Sequence, residues 1–156
     1  RFGELIIDSN SDWIEKNIYD EYLQRAEELN ENRNIVKNGD VLLASTGDGT
    51  LGKCCVYDKK FPAIADGHVT IIRVDKKVID PYYLADYLRC GFGASQINRL
   101  YSGSTGLIEL TPEQVDVILI DIMLDKVGVD IQKKKSKSIR NIEKNIRNKL
   151  KKQKKH

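Results

Sequence analysis

Apolar residues recur along the chain in short runs that glycine, asparagine or proline separates. Val41–Ser45 and Lys53–Tyr57 lie on either side of a glycine-rich segment, which predicts a β-hairpin over residues 41–57. Asn38-Gly39, just before the first run, is a strong turn signal. Further extended segments are predicted at Glu4–Ile7, Ile35–Val36, Pro62–Ala65, His68–Val74 and Val115–Ile122.

Helices are predicted where apolar residues recur every three or four positions. Asp80-Pro81 has the form of a helix start, with a capping side chain followed by proline, and an apolar face follows at positions 83, 84, 87 and 88. Thr111 to Gln114 has the form of a capping box, but only one turn of helix is expected before the next strand. Two further helices are predicted at Asp20–Leu29 and Ala94–Leu100.

A long, lysine-rich helix is predicted from Ile131 onwards. Its apolar residues are spaced three, four and four positions apart, which makes one narrow seam suited to a single partner helix. Because the rest of the helix is charged, we expect it to project from the body. The chain is therefore predicted to be a mixed α/β, strand-rich domain over residues 1–128, followed by a basic spacer or dimerisation helix over residues 129–156. The seam consists of Ile139, Ile142, Ile146 and Leu150.

The net charge of +3 conceals a strong asymmetry along the chain. Residues 131–156 contain 12 of the 26 Lys and Arg residues and one of the 23 Asp and Glu residues, so that segment has a charge of +11 and the remainder has −8. A nucleic-acid site in the body must therefore be a local patch, to which the basic segment adds attraction that does not depend on base sequence. A solvated helix face is the alternative interpretation of the basic segment.

Composition also limits the kinds of site that the chain can form. Cys54, Cys55 and Cys90 form neither a C-x-x-C pair nor another metal-binding pattern, and two histidines exclude a multi-histidine metal site. No run of 18 apolar residues is present, so no membrane span is expected. We therefore expect a cytoplasmic protein without a metal site.

The strongest motif that suggests chemistry is the loop Gly47–Lys53. It has the phosphate-loop spacing G-x-x-x-x-G-K after a buried strand. Val117–Asp121 resembles an apolar strand that ends in a magnesium-binding aspartate. A nucleotide-binding enzyme is therefore an alternative function. Against it, Cys54 stands where a hydroxyl should bind the metal, and Asp48 would place a carboxylate in an anion cradle. A strand rather than a helix is also predicted after the loop, whereas phosphate binding needs a helix N-terminus. A tight glycine hairpin loop is the favoured interpretation.

No catalytic set and no cofactor site emerge from the rest of the sequence. His68 follows Asp66-Gly67, but no motif ties a Ser or Cys nucleophile to it. A single histidine in a strand is more often a structural residue than a catalytic base. We therefore expect no catalysis by this chain.

Several blocks of the chain resemble, in their order and spacing, the motifs of one known family. Ile35–Leu43 is similar to a "k-x-G-D" entry followed by three apolar residues, Thr46–Lys53 to a glycine loop, and Asp80–Leu88 to a "d-p-x-Y-L-x-x-y-L" helix. Ala63–Arg73, Gln96-Ile97, Gly103-Ser104 and Leu110–Ile122 follow in the same order. This is the pattern of target-recognition domains in type I restriction–modification specificity subunits, and of similar domains in fused adenine methyltransferases. The resemblance covers about residues 30–150.

The resemblance implies an α/β module that reads one half of a split double-stranded DNA target and is not itself an enzyme. Adenine methylation and cleavage would belong to partner methyltransferase and nuclease subunits. The long helix would pair with that of another recognition domain or of a second copy. The segment between Ile118 and Ile131 lacks the proline that the family often has there, so a two-domain specificity subunit and a fused methyltransferase both remain open as the parent protein.

Two loops contain the polar side chains that suit base reading from a rigid scaffold. For each loop the alternative is ordinary turn chemistry, and a pure interaction module that dimerises through residues 131–150 is a further alternative function. The candidate DNA-binding residues are Ser45, Thr46, Asp48 and Thr50 in the first loop, Ser102, Ser104 and Thr105 in the second, and Lys53, Asn98 and Arg99 beside them as possible phosphate contacts.

Overall fold

The chain folds as a mixed α/β structure that ends in a long helix, as the sequence predicts. In the computed structural model, the described residues are 20–21, 24–25, 34–104, 107–122 and 126–153, and residues 20, 21, 24 and 25 are helical. The strand predicted at Glu4–Ile7, most of the helix predicted over Asp20–Leu29, and Thr105 lie outside the described residues.

A three-stranded antiparallel sheet lies at the centre of the described fold. Strand β2 (Val41–Ala44) lies between β3 (Cys54–Val56) and β5 (Val69–Ile72), which confirms the hairpin predicted over residues 41–57. All four residues of β2 are buried, because apolar residues cover both faces of the strand. The sheet is therefore a rigid base for the loops at its ends.

Successive side chains of a strand point to opposite faces, and the two faces of β2 supply two apolar clusters. Leu43 belongs to the larger cluster, together with Leu88 and Ile97 from the helices. Leu42 belongs to the smaller cluster with Cys55 and other apolar residues. The alternation in this strand thus joins the sheet to the helices on one side and to a smaller sheet on the other.

The smaller sheet pairs β1 (Ile35–Val36) with β4 (Ala63–Ile64) in antiparallel orientation. The predicted turn at Asn38-Gly39 follows β1 and is confirmed. Just after it, the buried Asp40 accepts hydrogen bonds from the Arg73 guanidinium at 3.1 to 3.2 Å. The same guanidinium donates to Ile35 O, which links the smaller sheet to the end of β5.

Helix α1 (Pro81–Arg89) packs on the three-stranded sheet, and α2 (Gly91–Leu100) packs on α1. The Asp80 carboxylate accepts a hydrogen bond from a backbone amide of the first turn at 3.0 Å, which confirms the predicted helix start. The second helix begins three residues earlier than predicted. The two helices approach closely, because a Cβ added at Gly93 would lie 2.2 Å from the backbone oxygen of Tyr87.

The segment after α2 contains one prediction that is wrong. Helix α3 (Pro112–Asp116) starts with the predicted capping box at Thr111. The strand predicted at Val115–Ile122 is absent: its first two residues belong to α3 and the rest form no strand. The Gln96 side-chain amide both accepts from Leu119 N and donates to Leu119 O, each at 2.9 Å. Because a helix side chain satisfies these backbone groups, the segment needs no neighbouring strand.

Helix α4 (Lys126–Gln153) is the long helix predicted at the end of the chain. It begins five residues before Ile131, so the boundary predicted between residues 128 and 129 falls within its first turn. Its first half packs on α1, and Gln132, which is buried there, accepts a hydrogen bond from Asp80 N at 2.8 Å. Among the described residues, every helix is too short or too polar to cross a membrane.

Candidate nucleic-acid interface

The glycine-rich loop between β2 and β3 is compact and internally bonded. The Thr50 hydroxyl donates to the backbone oxygens of Thr46 and Gly47, at 2.7 and 3.1 Å. Lys53 O accepts a hydrogen bond from the amide of the last β2 residue at 2.9 Å, which closes the hairpin. The side chains of Asp48 and Thr50 are exposed on the outside of this first loop.

The structural context that a phosphate loop requires is missing around this loop. Lys53 leads directly into β3, which pairs antiparallel with β2. The residues after the loop therefore form a strand, where a phosphate loop would have the N-terminus of a helix. Val117–Asp121, the segment that resembled a magnesium-binding strand, forms no strand. The glycines therefore serve a tight hairpin turn, as the favoured interpretation predicts.

The second loop runs from Ser102 to Glu109. These two residues close its base by exchanging two backbone hydrogen bonds of 2.9 Å. Leu107 N donates to Ser104 O at 3.0 Å inside the loop. Ser102 and Ser104 are exposed, and Thr105 lies outside the described residues.

The two loops lie side by side, although they are far apart in sequence. Gly47 N donates to Ile108 O at 3.2 Å, and Leu110 N donates to Ser45 O at 2.8 Å. Thr46 also forms an isolated antiparallel bridge with the second loop. The structure thus brings together the residues of both loops that the sequence analysis proposed separately.

The turn before β5 adds a third component to this surface. His68 O accepts a hydrogen bond from Ser45 N at 2.9 Å, and Thr46 Oγ1 lies 2.9 Å from His68 Nδ1. Asp66 Oδ1 accepts from His68 N at 2.6 Å and so shapes the turn. The sequence analysis considered His68 only as a catalytic base and missed it as a surface neighbour of the loops, because only long-range strand pairing places it there.

The remaining candidate residues differ in their exposure. Ser45 is only 5% exposed, so its side chain lies inside the structure and not on the predicted reading surface. Lys53 is half-buried at the end of the hairpin. Asn98 and Arg99 are exposed on the last turn of α2, which leads directly into the second loop.

The surface formed by the two loops is not uniformly basic. Asp48, Asp66 and Glu109 are exposed on or beside the two loops. The cationic residues beside them are Lys53 and Arg99. The two loops therefore expose carboxylate and hydroxyl groups, with the cationic side chains of Lys53 and Arg99 at the residues that adjoin them in sequence.

The apolar seam predicted on α4 is open over most of its length. Ile142, Ile146 and Leu150 are each a little more than half exposed, whereas Ile139 is half-buried. Three exposed aliphatic side chains along one stripe of a charged helix are typical of a face that packs against another helix. No part of the described chain covers them.

A cluster of ionised side chains holds α4 against α1. Arg89 Nη2 lies 2.5 Å from Asp86 Oδ1 and 2.6 Å from Glu143 Oε1 of α4. The Arg140 guanidinium, also on α4, lies 3.9 Å from the centre of the Tyr82 ring. These contacts fix the direction in which α4 leaves the body.

A cleft of about 200 Å³ lies beside this cluster, between α1, β3 and α4. Among the described residues, Asp86 Oδ2 and Arg140 Nη1 are buried without a hydrogen-bond partner. Burial raises the pKa of the Asp86 carboxyl, although the adjacent Arg89 acts in the opposite direction. Burial also raises the pKa of the Cys55 thiol, to about 11, so this thiol remains protonated and unreactive.

The described residues contain no group of three or more side chains that could hold a metal ion. No protein-family model matches the chain, and no curated protein matches it.

Proposed function

We propose that this chain is a DNA target-recognition module of a restriction–modification system. It reads one half of a split double-stranded DNA target and directs an adenine methyltransferase subunit and a restriction nuclease subunit to that site. The chain itself binds no cofactor and carries out no catalysis. It acts in the cytoplasm, where free cysteines such as Cys54 and Cys55 stay reduced.

One observation carries this proposal: two polar loops that are distant in sequence form one surface at the end of a buried sheet. Backbone hydrogen bonds between Gly47 and Ile108, and between Ser45 and Leu110, hold the loops in a fixed relative position. Sequence reading needs polar side chains at fixed positions, because each base edge offers a particular set of donors and acceptors. The motif order that resembles type I specificity subunits supports the same function.

The chemistry of the surface favours base contacts at its centre. The Ser104 hydroxyl can donate to or accept from a base edge, whereas Thr50 Oγ1, which donates its proton to the loop backbone, can accept from one. A carboxylate such as Asp48 can accept from the amino group of cytosine. We no longer include Ser45 among the residues proposed to contact bases, because its side chain is buried. His68, with its ring beside Thr46, is added to it.

Phosphate contacts fall to the cationic residues around this centre. Lys53 and Arg99 flank the loops, and the lysine-rich α4 supplies a positive field that attracts DNA of any sequence. The open seam at Ile142 and Ile146 suits the helix of another recognition domain or of a second copy. In this proposal, the two loops contact bases, the cationic residues attract phosphates, and the apolar seam of α4 pairs with another helix.

The proposal is tested by selecting duplexes from a random-sequence library with this chain at low salt. We expect a short common sequence to be enriched over successive rounds. A chain that retains no duplex, or that retains duplexes without any common sequence, would contradict the proposal.

Two single substitutions then separate base contacts from phosphate contacts. Lys53→Ala should lower affinity for all duplexes alike, and should reduce the slope of log affinity against log salt concentration by about one. Ser104→Ala, which removes an exposed hydroxyl, should lower affinity for the selected sequence more than for unrelated duplexes, and should leave the salt slope unchanged. Fluorescence anisotropy titrations at several salt concentrations measure both effects.

A further inference from the structure

Leu107 is an apolar side chain on an otherwise polar reading surface. It is 84% exposed, more than any other large apolar residue in the described part of the chain. Its loop neighbours Ser104 and Glu109 are also exposed. We propose that Leu107 contacts DNA bases and recognises the 5-methyl group of a thymine. This inference rests on the proposed function and extends it to one base pair of the target.

Backbone hydrogen bonds hold Leu107 itself and the residue that follows it. Leu107 N donates to Ser104 O at 3.0 Å, and the next residue, Ile108, accepts from Gly47 N of the first loop at 3.2 Å. Two hydrogen bonds between Ser102 and Glu109 close the loop beneath it. The side chain is therefore presented outward by a fixed backbone, which lowers the entropy lost when it binds a partner.

The size of the apolar surface indicates what it contacts. Ser102, Ser104 and Glu109 of the same loop are exposed and polar, so Leu107 is the one large apolar side chain in the exposed class among the described residues of this loop. Protein–protein contacts need a much larger contiguous area. In the major groove of DNA, thymine alone among the four standard bases presents a methyl group, and that group is recognised by apolar contact. A single leucine among hydroxyl and carboxylate groups matches a groove in which one methyl lies among donors and acceptors.

The test uses the duplex that the wild-type chain selects from the random library. Each thymine in that duplex is replaced singly by deoxyuridine, which removes the methyl group and keeps the base pairing. We expect wild-type affinity to fall about fourfold at one position, the effect of one buried methyl group. Leu107→Ala should bind the unmodified duplex about as weakly as wild type binds that modified one, and should be insensitive to the same replacement.

Leu119→Ala is the matched control, because Leu119 is a similarly exposed leucine whose backbone is bonded to Gln96 of α2 instead of lying in either loop. This variant should keep the wild-type response to deoxyuridine. If wild-type affinity is unaffected by every replacement, or if Leu107→Ala loses as much affinity as wild type at the same position, the inference is overturned while the proposed function stands. A selected sequence without an A·T pair also overturns it. Failure to select any sequence overturns the proposed function, and the inference with it.

Discussion

At the scale of single residues, the second loop depends on the backbone conformation of Gly103. Its φ of +115° lies in a region that L side chains rarely adopt, and a Cβ added there would lie 2.1 Å from the backbone oxygen of Leu107. Gly49 in the first loop also has a positive φ, +84°, but an added Cβ would meet nothing within 4 Å. A side chain at Gly49 would meet only the cost of the backbone conformation, whereas one at Gly103 would meet that cost and a steric clash. Comparing substitutions at the two positions therefore separates the two effects.

We expect Gly103→Ala to lower the free energy of unfolding by about 2–3 kcal/mol, because strain and clash both act there. Gly49→Ala should cost only about 1 kcal/mol, since it meets the conformational cost alone. Urea denaturation of both variants measures the difference. Equal losses for the two variants would show that the second loop relaxes around the added methyl group.

The ionisation of Asp86 couples the stability of the fold to pH. It is buried between α1 and α4, one of its oxygens has no partner among the described residues, and burial raises its pKa above the usual value. A carboxyl whose pKa is higher in the folded state than in the unfolded state binds its proton more tightly when folded. Its contribution to stability is therefore largest when it is protonated, and falls as the pH rises through the folded-state pKa.

We expect Asp86→Asn to remove this pH dependence. Relative to wild type, the variant should gain stability as the pH rises from the unfolded pKa of an aspartate, near 4, past the higher folded pKa. Urea unfolding midpoints across that range measure the change. The matched comparison is Asp58→Asn, which removes a carboxyl that also lines the cleft but is exposed. Parallel profiles for wild type and Asp86→Asn would contradict the account.

At the scale of elements, α4 has two separate contacts to make. One face of the helix is fixed to the body, where Gln132 accepts from Asp80 N and Glu143 pairs with Arg89 of α1. Ile142 and Ile146 remain exposed. If this exposed stripe pairs with another helix, as proposed, substitutions at these two positions should affect pairing without unfolding the body.

We expect the double substitution Ile142→Asp and Ile146→Asp to prevent self-association or pairing with another recognition domain, because it places two charges in an apolar seam. Asn141→Asp with Asn148→Asp is the matched control: it adds the same two charges at exposed positions that lie on the opposite side of the helix from the seam. Analytical ultracentrifugation of the three proteins at equal concentration measures association. If the seam variant associates as wild type does, the seam is not the interface.

Local patterns predicted those elements whose hydrogen bonds and packing are also local. The hairpin over residues 41–57 follows from two apolar runs around glycines, and the helix at Pro81 follows from its capping aspartate. The strand predicted at Val115–Ile122 is wrong because Gln96, from α2, satisfies the backbone of Leu119 in place of a neighbouring strand. The apolar residues of the segment divide between the core, as at Ile118, and solvent, as at Leu119. A single side chain that forms the backbone hydrogen bonds a neighbouring strand would otherwise form produces no periodic pattern in the sequence.

The candidate site was predictable in its parts but not in its assembly. Glycine and hydroxyl residues mark the two loops, but only the pairing of Leu110 with Ser45 brings them together. The same pairing buries Ser45 inside the structure, which an isolated loop sequence cannot indicate. His68 joins the surface through the pairing of β2 with β5, which is likewise a long-range contact.

At the scale of the whole molecule, the loop surface and much of the positive charge lie in different regions of the chain. Asp48, Asp66 and Glu109 are exposed on or beside the two loops, whereas α4 contains 9 of the chain's 18 lysines. Binding should therefore have two components, a salt-sensitive attraction to any duplex and a preference that depends on sequence. A basic helix alone, without the loop surface, would show only the salt-sensitive attraction to any duplex.

The most direct measurement compares the selected duplex with a scrambled duplex of the same composition, by fluorescence anisotropy between about 50 and 200 mM salt. We predict that both affinities fall as salt rises, while the selected duplex binds at least about tenfold more tightly throughout, since each mismatched base pair costs about 1–3 kcal/mol. Equal affinity for the two duplexes at every salt concentration would contradict the claim that this chain reads DNA sequence.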